Sequence, residues 1–338
     1  MRCLKLIGRI KQFIANNRWL SKLFGLIIVL LLIFLLVTTV KPEEIVDAIR
    51  GLNPYMVLLG FFVYLGGIFS RAIRFRIVLN NKELRYYDLF TIVTVSNLIN
   101  NILPARTGEL SYLYLSKKLI KVPLKHGAAS LLVVRIFDLI SISILLLLSI
   151  LCLYKRYALP SQAQILIVIL FLLFISTCAL LALCTGKFSG TIVKIATLLK
   201  IREANFISKI VKILYEVEEN LIKIYSKRVF IQLLSLSLIS SATSFIIFIL
   251  ILTDLMEIGA CAMAFITLIT RITLILPIHS FLGFGTYEGA WVIASMPLGV
   301  PMDIAILSGF IAHIVGLLYT LGAGVFGISI IKDIYRNN

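Results

Sequence analysis

The chain has 338 residues, 60% of them apolar and 14% charged, with a net charge of +17 and a mean hydropathy of +1.04. Soluble domains average about 45–50% apolar and about 25% charged residues, and a folded chain of this length has too little interior to hide the surplus. Disorder, a disulfide scaffold, a coiled coil and a soluble enzyme are excluded, which leaves an all-α polytopic membrane protein.

In chain order, residues 1–22 carry six basic side chains and no acid, the pattern of a cytoplasmic basic N-terminus. The apolar stretch Leu23–Val40 follows. It is long enough to cross about 30 Å of hydrocarbon and lacks a small-residue cleavage site, so it reads as an uncleaved anchor. Tyr55–Ser70 is a second span, closed by Arg71, Arg74 and Arg76. These arginines are either a positive-inside stop with snorkelling side chains or, for Arg71 and Arg74, a headgroup funnel at the cytoplasmic mouth. Tyr86–Ser116 is apolar but broken by Asn97, Asn100, Asn101, Pro104, Arg106, Gly108 and Glu109.

Gly127–Leu153 and Ala163–Leu183 are plain spans. Residues 187–228 then form a cytoplasmic amphipathic segment, with Ile207, Ile210, Leu214, Val217, Leu221 and Ile224 at three- and four-residue steps. It either lies along the interface or docks a partner. Val229–Leu252 is a further span, and Gly259–Pro297 is a second broken run, holding Arg271, Pro277, His279, Gly283, Gly285 and Glu288. The glycine-rich Ile304–Ile330 is the last span, suited to close helix contact.

Six spans and two re-entrant helical hairpins place 26 of the 33 Lys and Arg inside and only Lys41, Arg50, Lys155 and Arg156 outside. That bias favours this topology in a cytoplasmic membrane, with both termini cytoplasmic and residues 23–338 forming one membrane domain. The hairpins then dip in from opposite faces, the pointer to an inverted-repeat transporter with its site near the midplane. The alternative is two ordinary spans broken by packing glycines.

Six charges lie in the membrane zone: Arg106, Glu109, Arg135, Asp138, Arg271 and Glu288. Each lone charge at mid-depth costs roughly 2.5–3.5 kcal/mol, so they pair, reach the interface or line a wet cavity. Arg135 and Asp138 stand three apart on one helix and share a face. The set reads either as a substrate pathway or as structural clamps. Arginine suits a phosphate because its planar fork gives two parallel charge-assisted bonds. Helix N-termini near Thr107–Glu109 and Thr286–Glu288 would add N–H groups aimed at an anion, with Arg271 and His279 acting from the other side. Glu109, Asp138, Glu288, His279 and His313 are candidate proton carriers.

Cys3, Cys152, Cys178, Cys184 and Cys261 show no CxxC spacing and predict neither a disulfide framework nor a zinc site. His126, His279 and His313 are too scattered for a metal cluster, so no metal and no cofactor is expected. There is no HExxH, GxSxG, P-loop or strand-associated GxGxxG, so no enzymatic activity is expected.

Four pieces in order carry a family resemblance: Arg71-Ala-Ile-Arg74-Phe, Asn101-Ile-Leu-Pro104-Ala-Arg106-Thr-Gly108-Glu109, Arg135-Ile-Phe-Asp138-Leu, and Pro277-Ile-His-Ser-Phe-Leu-Gly283-Phe-Gly285-Thr-Tyr-Glu288. In these the chain resembles the lysylphosphatidylglycerol synthase transmembrane region, a flippase-like membrane family. Val134 stands where the family usually has an acid, and Leu282 where it has the first glycine of a pair. The resemblance implies a membrane domain that moves lipids between leaflets around intramembrane hairpins. The acyltransferase-like domain of fused members is expected to be absent, since the sequence ends at Asn338. Implied partners are an anionic lipid, a glycosyltransferase or lipid-modifying enzyme, and a second copy of the chain, with no nucleic acid. The function expected is translocation of a phospholipid or polyprenyl-phosphate-linked lipid; the alternative is a scaffold presenting such a lipid to a separate transferase.

Overall fold

The computed structural model describes residues 42–81, 83–103, 108–154, 167, 170–171, 173–175, 177, 227–275 and 281–337. The expected spans Leu23–Val40 and most of Ala163–Leu183, the amphipathic segment up to 226, Arg106 and His279 lie outside the described residues. Among the described residues the ordered elements are helices: α1 (Pro42–Gly51), α2 (Pro54–Leu79), α3 (Tyr86–Ile102), α4 (Glu109–Leu119), α5 (Leu124–Tyr154), α6 (Lys227–Met256), α7 (Ala260–Ile275), α8 (Thr286–Ser295) and α9 (Met302–Asn337), with short 3-10 turns at Phe281–Gly283 and Met296–Leu298. Four of them, α2, α5, α6 and α9, are long and apolar enough to cross a membrane. The protein is an all-α, multi-pass membrane protein.

The boundaries of α2 show how local chemistry sets an element. The Asn53 side chain accepts the Tyr55 N–H at 2.9 Å, Pro54 takes the first turn, where its missing N–H is harmless, and Asn80 ends the helix in the left-handed region. The helix runs nine residues past Ser70, the end expected from hydropathy, so Arg71, Arg74 and Arg76 ride on the helix itself. The apolar run stops there, but the carboxylate that neutralises Arg71 and Arg74 sits on another helix.

Contacts fix the direction of each element. Gly67 faces Thr243, and the Ser70 hydroxyl donates to the Leu236 carbonyl, so α2 and α6 are antiparallel. The end of the bundle holding the C-terminus of α2, where α3 starts, is therefore opposite the end holding the C-terminus of α6, where α7 starts. Glu109 meets Arg135, Tyr112 meets Ser130 and Gly127 faces Leu113, so α4 runs antiparallel to α5 and back to the end that α3 left. Likewise Glu288 meets His313 and Trp291 meets Ser308, so α8 returns along α9 to the starting end of α7. Two helical hairpins thus enter from opposite ends of the bundle and turn back inside it. At 11 and 10 residues, α4 and α8 reach only about 15–17 Å at 1.5 Å per residue, too short to cross.

The first reversal is tight. A side chain at Gly108 would place its Cβ 2.2 Å from the Asn100 Cα, so only glycine lets the returning chain lie against the last turns of α3. The second turns on left-handed backbone at Leu282 (φ 54°), Gly283 (φ 83°) and Gly285 (φ 95°). Gly324 and Gly327 of α9 seat Leu98 and Val95 of α3, and the α3 end packs on Phe281–Gly283, so the two hairpin tips meet.

Two apolar cores stack along the bundle. One gathers Ile142, Leu146, Leu252, Met263 and Trp291, the other Ala72, Leu89, Ile92, Val133 and Phe137. Between them lies a polar layer that includes Asp138, Ser141, Ser241, Glu288 and His313, all buried. Beside the first of these cores, Cys152 of α5 and Cys261 of α7 form a disulfide across 109 residues, a pairing the sequence reading, which found no disulfide framework, did not anticipate. Spacing rules could not find it, because the two sulfurs are brought together only by packing of α5 on α7.

Candidate functional site

Asp138 is the centre of the polar layer. Its side chain is 3% exposed; Arg74 Nη1 donates to Oδ1 at 2.5 Å, Arg135 lies 3.6 Å away and Arg71 lies 4.0 Å away. Arg74 is fully buried and also donates to the Ser237 and Ser240 hydroxyls at 2.8 and 3.2 Å. With no exposed surface, Arg74 acts as the clamp of Asp138. Arg71, one turn earlier, donates to Asn97 of α3 at 2.8 Å. Arg135 donates to Glu109 at the start of α4, so the first hairpin tip is held to α5 by an ion pair.

Arg271 of α7 stands apart. It donates to the Ser240 carbonyl and the Ser244 hydroxyl, both neutral, and among the described residues it forms no ion pair. It lies within electrostatic reach of Asp138, Arg74 and Arg135. Among the described residues the cluster thus sets Arg71, Arg74, Arg135 and Arg271 against the carboxylates of Asp138 and Glu109.

The second tip carries a different couple. The Glu288 Oε1 lies 2.6 Å from His313 Nδ1, and Glu288 Oε2 accepts the Gly285 N–H at 2.7 Å. The helix's own carboxylate thus caps the backbone donor just before its first turn. His313 Nε2 lies 3.0 Å from the Leu282 carbonyl, and Tyr287 stacks on the imidazole at 4.6 Å between centroids. His313 belongs to this site although only a proton-carrier role suggested it from sequence. Its signal was an ionisable group inside the last span.

Three adjoining cavities join these groups. One of about 40 Å³ lies among Arg71, Asn97, Asn100, Glu109, Arg135 and Asp138. One of about 90 Å³ lies among Tyr64, Arg71, Asn97, Ser240, Ser244 and Arg271. The third, about 200 Å³, is lined by Tyr64, Asn101, Arg271, Tyr287, His313 and Thr320 among others. Arg71 and Asn97 border the first two; Tyr64, Ser244 and Arg271 border the last two. With about 30 Å³ per water, the smallest holds one water and the largest several, or a phosphate group. The buried Ser96 hydroxyl and Asn100 carbonyl oxygen at the smallest of the three cavities have no hydrogen-bond partner among the described residues, as groups facing water or a ligand do.

A multi-pass helical membrane protein with opposed hairpins around a charged interior defines the class. The chain belongs to the lysylphosphatidylglycerol synthase transmembrane-region family, whose family model matches residues 22–324. It is also 30% identical over 123 residues to the protein named Glycosyltransferase AglD of Haloferax volcanii, covering 35% of this chain and 19% of that protein. The match therefore reaches about a fifth of that relative's length.

Proposed function

We propose that the protein binds the phosphate of a membrane lipid between its hairpin tips and passes it from one leaflet of the cytoplasmic membrane to the other. The lipid would be a phospholipid or a polyprenyl-phosphate-linked lipid, with its tails staying in the bilayer, and the chain itself performs no covalent chemistry. Arg271 carries this reading: a guanidinium beside the cavity of about 200 Å³ with only neutral partners among the described residues. A phosphate about 4 Å from such a cation gains about 4 kcal/mol at an effective dielectric constant near 20. Arg71 borders the two smaller cavities and extends the track toward Arg135 and Glu109. Both termini face the cytoplasm, which puts the first hairpin on the inner side and the Cys152–Cys261 disulfide on the outer, oxidising side.

The test is reconstitution into phosphatidylcholine vesicles carrying fluorescent phosphatidylglycerol, with an impermeant quencher outside. Wild type makes nearly all of the label quenchable, and R271Q slows this at least tenfold. Quenching that stops at the outer half, as in empty vesicles, contradicts the proposal. A second reading, a scaffold presenting a lipid-linked substrate to a separate transferase, draws on the partial similarity to a protein named a glycosyltransferase. Lipid binding without transfer between leaflets, together with copurification of a transferase, would favour it.

A further inference from the structure

The protons of the Glu288–His313 couple can be counted from its acceptors. A carbonyl oxygen only accepts, so His313 Nε2, 3.0 Å from the Leu282 carbonyl, carries a hydrogen. His313 Nδ1 and Glu288 Oε1 face each other at 2.6 Å, a contact that holds only with one proton between them, whichever atom bears it. The couple thus binds one proton more than a carboxylate beside a neutral imidazole, and its net charge is zero. Losing that proton would set two lone pairs against each other and leave a full negative charge.

That proton sits where it controls structure. Glu288 also holds the Gly285 N–H and His313 also holds the Leu282 carbonyl, so the couple ties the left-handed break of the second hairpin to α9. Charged and titratable neighbours around it are few among the described residues. Arg271 comes from α7, Tyr287 from α8 itself, Tyr64 from α2 and Tyr319 from α9; α3 and α6 bring the neutral Asn101 and Ser244 to the cavity. Arg271 and His313 line the same cavity. With the proton bound, the couple is neutral and Arg271 is available to an anion. With the proton gone, a full negative charge is left on the couple, beside the cavity that His313 and Arg271 share, and repels that anion.

From this we infer that Glu288–His313 is a proton-binding site coupled to the phosphate in the adjoining chamber, so that each lipid moved carries a proton with it. The inference rests on the lipid-moving reading above. Reciprocity requires that a phosphate which favours the protonated couple is itself bound better when the couple is protonated. The couple takes its proton from water on the side where the lipid enters, holds it between Nδ1 and Oε1 while the phosphate occupies the chamber, and releases it to water on the far side as the phosphate leaves. An anion accompanied by a proton crosses the apolar layer as a neutral pair.

The experiment titrates the purified full-length protein in detergent with dioctanoyl phosphatidylglycerol in weak buffer, reading proton uptake with an indicator dye. Wild type takes up protons on binding, and uptake per lipid bound falls at least fivefold in H313Q and in E288Q. Equal uptake per bound lipid in the variants, or none in wild type, overturns the inference. Nitrogen NMR of histidine-labelled protein without lipid separates the two levels. The shared-proton signal at His313 Nδ1 should drop at least tenfold in E288Q, and an unchanged signal overturns the proton site. A wild type that shows this drop but binds no lipid removes the lipid-moving reading, and the coupling falls with it.

Discussion

Asp138 keeps three guanidinium groups within 4.0 Å of one buried carboxylate, and its loss would leave Arg74 charged in a site with no exposure at all. Breaking such a buried pair costs about 3–5 kcal/mol. D138A is therefore expected to unfold at markedly lower temperature in detergent than wild type, read by thermal scanning. R271Q should shift that transition little, because the bonds it loses are to a serine hydroxyl and a carbonyl. Leu282 is a third case: a leucine at φ 54° stores about 1 kcal/mol of backbone strain. L282G should raise the unfolding temperature in the same scan. The charged residues were legible in the sequence as intramembrane ionisable groups, and Arg135 with Asp138 as neighbours on one helix, but the partners on other helices were not. Arg74 and Asp138 are 64 residues apart, and His313 carries no formal charge to mark it in a charge survey.

At the scale of elements, the hairpin turns depend on a few residues that the broken hydropathy pattern made readable. Pro104, Gly108, Gly283 and Gly285 interrupt apolar runs, and Gly108 is the position where the returning chain touches α3. G108A forces a Cβ against backbone that has no flexible side chain to yield. Overpacking of that kind costs typically 1–3 kcal/mol or more, and protease nicking near residue 108 in detergent should rise relative to wild type. The extension of α2 past Ser70 was not readable, because a window of hydropathy counts an arginine as the end of a span whether or not an aspartate on another helix neutralises it. The disulfide was equally hidden. Its removal in the C152S/C261S pair should lower stability by about 2–4 kcal/mol, with the unfolding temperature of wild type falling to the same value under reductant.

Across the whole molecule, the two hairpins enter from opposite ends, their tips meet between two apolar cores, and the polar layer there holds more guanidinium than carboxylate among the described residues. The all-α class and the opposed hairpins followed from composition and the lysine–arginine bias, which depend on the bilayer rather than on tertiary detail. The joined cavities did not, since they are made by side chains of eight helices, α2 to α9, at once. A cryo-electron microscopy map of the protein in phosphatidylglycerol nanodiscs tests the central claim most directly. The account predicts phosphate density within hydrogen-bonding distance of the Arg271 guanidinium, between the hairpin tips. A chamber holding water alone, with every phosphate confined to the two ends of the bundle, would contradict it.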